Sequence, residues 1–543
     1  ESMYNLGLIL KDEGKYADAV DTLYRAAWDY EYASAAYYQL AQISSTLGNA
    51  EQAAQEAGMA VAYNGMNLDA KNLLTTLERK AGNTEEATKL AAEILDIDPL
   101  NYYASAEQVA LGVKPKAEFT KLLRGVSESY IELALYYLNN GFASDAEAVL
   151  KDAENIRPYP TVEYWLGWFA DRNDDKDAAA KWFAAAEAGD MDYVFPFRLE
   201  TVKPLEKAIE YNPNSVMAWY YLGNLWYQKQ PAKAMSCWEK AVELRPDFAM
   251  ALRNLGWGCH YFTGELRKGA DWYKKAIAAD KDGNAIFLTE CDEILEQLNA
   301  PLEERYELFA GRESLYEKRY DSETRAIKLR ILKGEYEQVL DKLLTRFYAR
   351  REHIEDLHDI YVDACMLSGF REWKSGNNEK ALEYMLMTNE YPANHGYAHL
   401  EYYARDAQVY YNIGMAYEKV GDAAKAREYY AKAAAVVVKP VDCVYNYEKA
   451  LAMLKLNPKA DVKPMFREML KFGEESVTDY VERFFESFDY GPRPEDVNTK
   501  AYYTQGLAWK ALGKESKARK CFEQALGQRN DNVWANYYLG NIR

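Results

Sequence analysis

Histidine is scarce in this sequence and cysteine is scattered. Five histidines serve 543 residues, too few for a metal centre unless two of them stand close together. The six cysteines (Cys237, Cys259, Cys291, Cys365, Cys443 and Cys521) include no C-x-x-C pair. Neither a disulfide framework nor a zinc site is indicated, and most of them read as small buried hydrophobes among apolar neighbours. No GxSxG, Gly-rich phosphate loop or H-E-x-x-H occurs, so the chain is expected to be non-enzymatic and free of cofactors. No apolar run approaches the roughly 18 residues of a membrane span. Positive charge is thin as well. A net charge of −19 argues against nucleic acid, which needs a concentrated basic surface. The densest basic stretch, "TRFYARREH" from Thr345 to His353, is short and reads as a solvated helix face.

His395 and His399 are four residues apart with Glu401 nearby, a spacing that could aim two imidazoles at one metal on a helix. The preceding "EYPANHG" is a turn sequence after Pro392, however, and reads as a helix start. No metal is expected. No signal-peptide pattern is present, and the chain begins "ESMYNLG", already inside a helical pattern. The expectation is a soluble protein, cytoplasmic or periplasmic, whose first residue is a truncation or processing boundary.

What the chain has in abundance is tyrosine, 46 against 18 phenylalanines. Half-polar rings suit thin cores with much semi-exposed surface. Helical periodicity dominates, and one spacing recurs. Counting from Gly414, Tyr417, Gly421, Ala426, Tyr430 and Ala433 fall at offsets 3, 7, 12, 16 and 19. The same offsets carry related residues from Gly7, Ala41, Ala134, Gly167 and Gly506. The origin and offset 3 share one face of a first helix. Offset 7 allows a tight turn, Ala at offset 12 marks a close helix approach, and offsets 16 and 19 share the buried face of a second helix. Pro158, Pro213, Pro246 and Pro440 then end helices. One such hairpin cannot cover its own apolar faces, so neighbours must stack.

"AWYYLGNLWYQKQPAKAMSCWEKAVELRP" resembles a tetratricopeptide repeat (TPR): Trp219, Leu222, Gly223, Trp226, Ala234, Trp238, Ala241 and Pro246 match its signature residues. The second helix arrives one residue early because the turn around Pro231 is shortened. The resemblance implies an all-α α-solenoid, a right-handed superhelix of stacked antiparallel helix-turn-helix hairpins. It would run through 1–543 as one continuous solenoid of about fifteen units. Regular repeats are expected near 1–99, 129–189, 214–282, 405–439 and 499–543. Degenerate helical pairs of unassigned register should fill 101–128, 191–212, 283–404 and 441–498, the last ending in the loop-like "GPRPEDVN". A narrower resemblance rests on "YVFPFRLE" before the strong repeat and "EYPANHGYAH" later. It is to the C-terminal helical half of large bacterial proteins of unassigned function, whose N-terminal half is β-rich and mutarotase-like.

Such scaffolds usually bind on the inner wall lined by the first helices. The residues just before Leu and just after Gly are expected to face that groove. They are Tyr164, Trp165 and Trp168, then Tyr220, Tyr221, Asn224 and Tyr227, then Arg253, Asn254, Trp257 and His260. Seven of the eleven are aromatic. A wall of rings with amide and guanidinium donors would take a partner protein or an extended peptide, and a sugar chain would also fit. Tyrosine before Leu recurs throughout, so part of the stripe is scaffold. The excess lies in Trp165, Trp168, Tyr221 and Trp257. A carboxylate clamp of the kind some of these domains carry is incomplete here: Asn224 and Asn254 match, but Tyr220 stands where lysine is needed and Arg253 is offset by one. The functional expectation is a non-catalytic interaction scaffold. Its alternative is the helical half of a carbohydrate-active or carbohydrate-sensing protein.

Overall fold

The structure is a computed structural model, which describes residues 1–348, 357–396, 398–481 and 493–542. The end of the basic stretch with His353 and the first residues of "GPRPEDVN" lie outside the described residues. Within them are thirty-one α-helices and no strand. Helices pair into consecutive antiparallel hairpins. The residues fall into two compact units, 1–246 and 247–543.

Where a hairpin has a glycine at its origin, its close contact lies there. A methyl group on Gly506 would sit 2.4 Å from the Phe522 ring, one on Gly414 2.7 Å from Tyr430, and one on Gly167 2.5 Å from Phe183. Offset 16 therefore plugs into the gap that the missing side chain leaves. The alanines at offset 12 are buried beside it, as at Ala19, Ala53, Ala146, Ala179, Ala426 and Ala518. Their closeness is felt through the backbone: a methyl on Gly414 would lie 3.3 Å from the Ala426 carbonyl. At offset 7 the chain turns through the left-handed region, with φ of 89° at Gly421 and 61° at Asp174. Asp and Asn tolerate this conformation best among residues with a side chain.

Two repeats depart from the spacing by one residue each. Gly223 meets Trp238 and the Ala234 carbonyl, offsets 15 and 11, because Pro231 opens the second helix at once. Gly256 meets Tyr273 and the Gly269 carbonyl, offsets 17 and 13. Its extra residue is absorbed by a π turn at Cys259–Thr263. The unassigned segments also contain the module. Gly369 meets Met385 at offset 16 and the Ala381 carbonyl at offset 12, with Gly376 in the left-handed turn at offset 7. The helices Leu357–Lys374 and Asn378–Met387 are that hairpin. Tyr320–Leu332 and Tyr336–Thr345 form another, with Ile327 where glycine usually stands, Gly334 at the turn, and buried Val339 and Leu343.

Each unit folds back on itself. In residues 1–246, Asn140 at a hairpin turn accepts from Gln42 Nε2 at 2.8 Å, and its carbonyl accepts from Ser45 Oγ at 2.6 Å. In residues 247–543 the turn at Asn299 meets the segment 526–531. Asn299 Nδ2 donates to the Leu526 carbonyl at 2.9 Å, and Asn530 N donates to Asn299 Oδ1 at 2.7 Å. Beside them Arg305, fully buried, donates to Asp292 at 2.7 and 2.9 Å and to Asp531 at 3.0 Å. Burial alone would raise the Asp531 carboxyl, but Lys328, Arg529 and Arg305 hold it well below the usual carboxylate range. The helix Val533–Leu539 stacks Tyr538 on Phe522 at 5.2 Å and Tyr537 on Phe370 at 5.2 Å.

Candidate functional site

The eleven aromatic and polar residues expected to face a groove divide by position. Tyr164, Trp165 and Tyr221 are 1–2% exposed, and Tyr220 and Asn254 are buried as well. The residues just before Leu point at the neighbouring first helix: Tyr164, two before Leu166, packs edge-on to Tyr221, which precedes Leu222, at 6.3 Å. First helices stack on one another closely enough that this position becomes packing between repeats. The residues after Gly behave differently. Trp168, Asn224, Tyr227, Trp257 and His260 all keep partial exposure, as does Arg253. Asn224 Oδ1 accepts from Trp238 Nε1 at 3.0 Å, which ties it to the scaffold. Arg253 is forked onto Glu290, with Nε at 2.8 Å from the carboxylate. Trp257 lies on Tyr261 at 4.4 Å, and His260 contacts the Gln297 side chain at 3.1 Å. Arg253, Asn254, Trp257 and His260 belong to the second unit, the other seven to the first.

A cavity of about 640 Å³ in the first unit gathers part of this set. Trp165, Trp168 and Arg172 from Pro160–Arg172 form one side, with the Arg172 guanidinium 4.7 Å above the Trp168 ring. Tyr38, Gln39, Gln42 and Thr46 from Tyr30–Thr46 form another, and Lys11 comes from Ser2–Asp12. Lys11 Nζ donates to Gln39 Oε1 at 2.7 Å and Gln42 Oε1 at 2.5 Å. Burial lowers its pKa to about 8. Lys203 reaches the rim, as do Asp12 and Glu200. Lys11, Gln39, Gln42 and Arg172 carry no local motif. Fold-back around Asn140 brings them to one place from sequence positions more than a hundred residues apart.

A second cavity, of about 510 Å³, lies inside the second unit. Its wall is a set of ion pairs. Arg405 is held by Asp359 at 2.8 Å and by Asp363, whose carboxylate also accepts from Trp534 Nε1 at 2.9 Å. Lys328 pairs with Asp531 at 3.3 Å, Arg529 with Asp531 and Asp496, and Lys500 with Asp442 at 3.8 Å. Tyr445, Tyr503 and Glu448 complete it. Burial pushes the Glu448 carboxyl up to about 7.

The paired histidines do not converge. His395, in a short 3-10 turn, contacts the Leu343 carbonyl at 2.7 Å, while His399 pairs with Asp406 at 2.9 Å. Among the described residues no three His, Cys, Asp or Glu side chains are grouped to hold a metal. None of the described helices is long and apolar enough to cross a membrane.

Family comparison matches the tetratricopeptide repeat at residues 131–193, 407–436 and 499–532. These repeats are usually non-catalytic, and the matches include no catalytic family. They bear on the general repeat and not on the narrower resemblance to proteins with a mutarotase-like domain. Among solved structures, the TPR domain of P58(IPK) is 12% identical, covering 87% of this chain and 98% of that one with a TM-score of 0.21. MamA is 20% identical over 38% of this chain and 94% of that one, with a TM-score of 0.16. YrrB, described as a TPR protein with an unusual peptide-binding site, is 17% identical over 42% and 94%, also at 0.16. The present chain is an all-α solenoid that carries tetratricopeptide repeats.

Proposed function

We propose that the chain is a non-catalytic scaffold that binds an extended segment of a partner protein in the cavity of residues 1–246. The observation that carries this reading is the meeting of Trp168, backed by Trp165, with Lys11, Gln39, Gln42 and Arg172 around one opening of about 640 Å³. A partly exposed indole under a guanidinium supplies a stacking surface. The lysine and arginine supply donors for backbone carbonyls or acidic side chains of the segment. The volume suits a few residues of an extended chain. Asn224, Tyr227, Trp257 and His260 remain outside this proposal: they keep surface but already serve contacts within the fold.

The test is selection of binders from a library of random twelve-residue peptides, followed by affinity measurement on variants. Trp168→Ala should weaken a selected peptide by ~1–3 kcal/mol with unchanged helical content. An affinity unaltered by Trp168→Ala and by Lys11→Ala would remove the cavity from the reading. A library that yields no binder would remove the peptide.

A further inference from the structure

We infer that the cavity of the second unit is a binding site for an organic cation, a primary ammonium or guanidinium group, with Glu448 as its counter-ion. The cavity is walled by charge that is already matched, save at one place. Its four cations, Lys328, Arg405, Lys500 and Arg529, each face a carboxylate. Its carboxylates number five, Asp359, Asp363, Glu448, Asp496 and Asp531. The acid without an ion-pair partner is Glu448: among the described residues no lysine, arginine or histidine forms a salt bridge with it, and the nearby charge of Arg405, which acts on it, is already taken up by Asp359 and Asp363. Its one side-chain donor is Gln408 Nε2 at 3.2 Å.

Glu448 is 4% exposed, so its carboxyl has little contact with bulk solvent. A buried carboxyl in that position is costly as an anion, which its raised pKa of about 7 expresses. An entering ammonium would convert the cost into a pair and offer its remaining hydrogens to the wall. The neighbouring rings suit the same guest. Tyr445, Tyr503 and Trp534 line the same cavity as Glu448. Aromatic faces attract organic cations and repel anions. About 510 Å³ admits an alkyl chain behind the charged head. The cation's source is either a free small amine or a lysine or arginine side chain of a polypeptide.

The experiment is calorimetric titration of the whole protein with five probes: n-butylammonium, n-butyrate, n-butanol, an end-blocked tetrapeptide containing one lysine, and the same peptide with that lysine Nε-acetylated. The expected result is that n-butylammonium or the lysine peptide binds, while butyrate, butanol and the acetylated peptide bind at least tenfold more weakly. Preference for n-butylammonium assigns a free amine, and preference for the peptide assigns a side chain. Glu448→Gln keeps the shape and the Gln408 contact, and should weaken the bound cation at least tenfold. The inference is overturned if neither cation binds the wild-type protein, if butyrate or butanol binds as well as the amine, or if Glu448→Gln binds unchanged. The wild-type probe series decides the matter even if the variant folds poorly.

Discussion

Replacing Gly506 by alanine tests the repeat geometry where it is tightest. The new methyl would sit 2.4 Å from Phe522 Cε1 and 2.6 Å from Cδ1. The ring cannot withdraw easily, because it is 3% exposed and stacked on Tyr538 at 5.2 Å with Tyr503 at 5.9 Å. Overpacking of this kind costs ~1–3 kcal/mol, and a pinned ring places it in the upper part of that range. Alanine is itself the better helix former by about 1 kcal/mol. The net expectation is a destabilisation of about 1–2 kcal/mol. Gly527, in the partner helix Glu515–Gln528, is the internal control, since a methyl there meets nothing within 4 Å. Gly527→Ala should be neutral or stabilising by up to about 1 kcal/mol. Guanidinium denaturation followed by far-ultraviolet circular dichroism, with amide exchange resolved over 494–528, compares the two. If Gly506→Ala were as stable as Gly527→Ala, the claim that the origin glycine makes room for offset 16 would be wrong.

The pH dependence of stability should carry the mark of Glu448. Its folded pKa of about 7 lies above the usual 4.5, so the folded state binds the proton more tightly. Stability is lost as pH rises from about 4.5 to 7 and the penalty is full above that window. Glu448→Gln should therefore stabilise at pH 8 by up to about 3 kcal/mol and hardly at pH 4, as equilibrium denaturation at the two values would reveal. Asp531→Asn strips charge from Arg305 inside the fold-back contact and should cost ~3–5 kcal/mol, with faster amide exchange over 299–305 and 526–532. Asp247→Asn, in an exposed pair with Lys281, should change neither. All six cysteines are buried, and burial pushes Cys237 up to about 11 and Cys291 and Cys443 up to about 12. Thiol titration with a disulfide reagent should accordingly label native protein slowly and all six upon unfolding.

The fold is legible in the sequence because two residue types carry its geometry. Only glycine lets a ring at offset 16 reach the first helix, and only a small residue fits at offset 12, so both recur visibly. Where the pattern fades the hairpin persists with other side chains. Ile327 replaces the origin glycine and Val339 replaces the alanine, so the pair Tyr320–Leu332 and Tyr336–Thr345 kept its architecture while losing the signal. At Gly369 the signal was intact (Gly376, Ala381 and Met385 at the usual offsets) but offset 3 is Glu372, and the aromatic is Trp373, one residue later.

The site was harder to read. The residues after Gly, such as Trp168 and Trp257, keep partial surface, whereas Tyr164, Trp165 and Tyr221, one or two residues before Leu, are buried. Lys11 and Gln42 give no signal, since they meet Trp168 through the fold-back in which Asn140 contacts Gln42 and Ser45. That is a long-range fact, and no local spacing encodes it. Glu448 is equally silent in sequence: what distinguishes it is a missing partner in three dimensions.

Amide hydrogen exchange of the protein with and without a library-selected peptide tests the central claim most directly. Slowed exchange is expected over residues 38–46 and 165–172, over the stretch 135–142 that also lines the first cavity, and at Lys11. Protection confined to second helices such as Ala143–Ile156 and Lys176–Ala188, with those stretches unchanged, would contradict that claim.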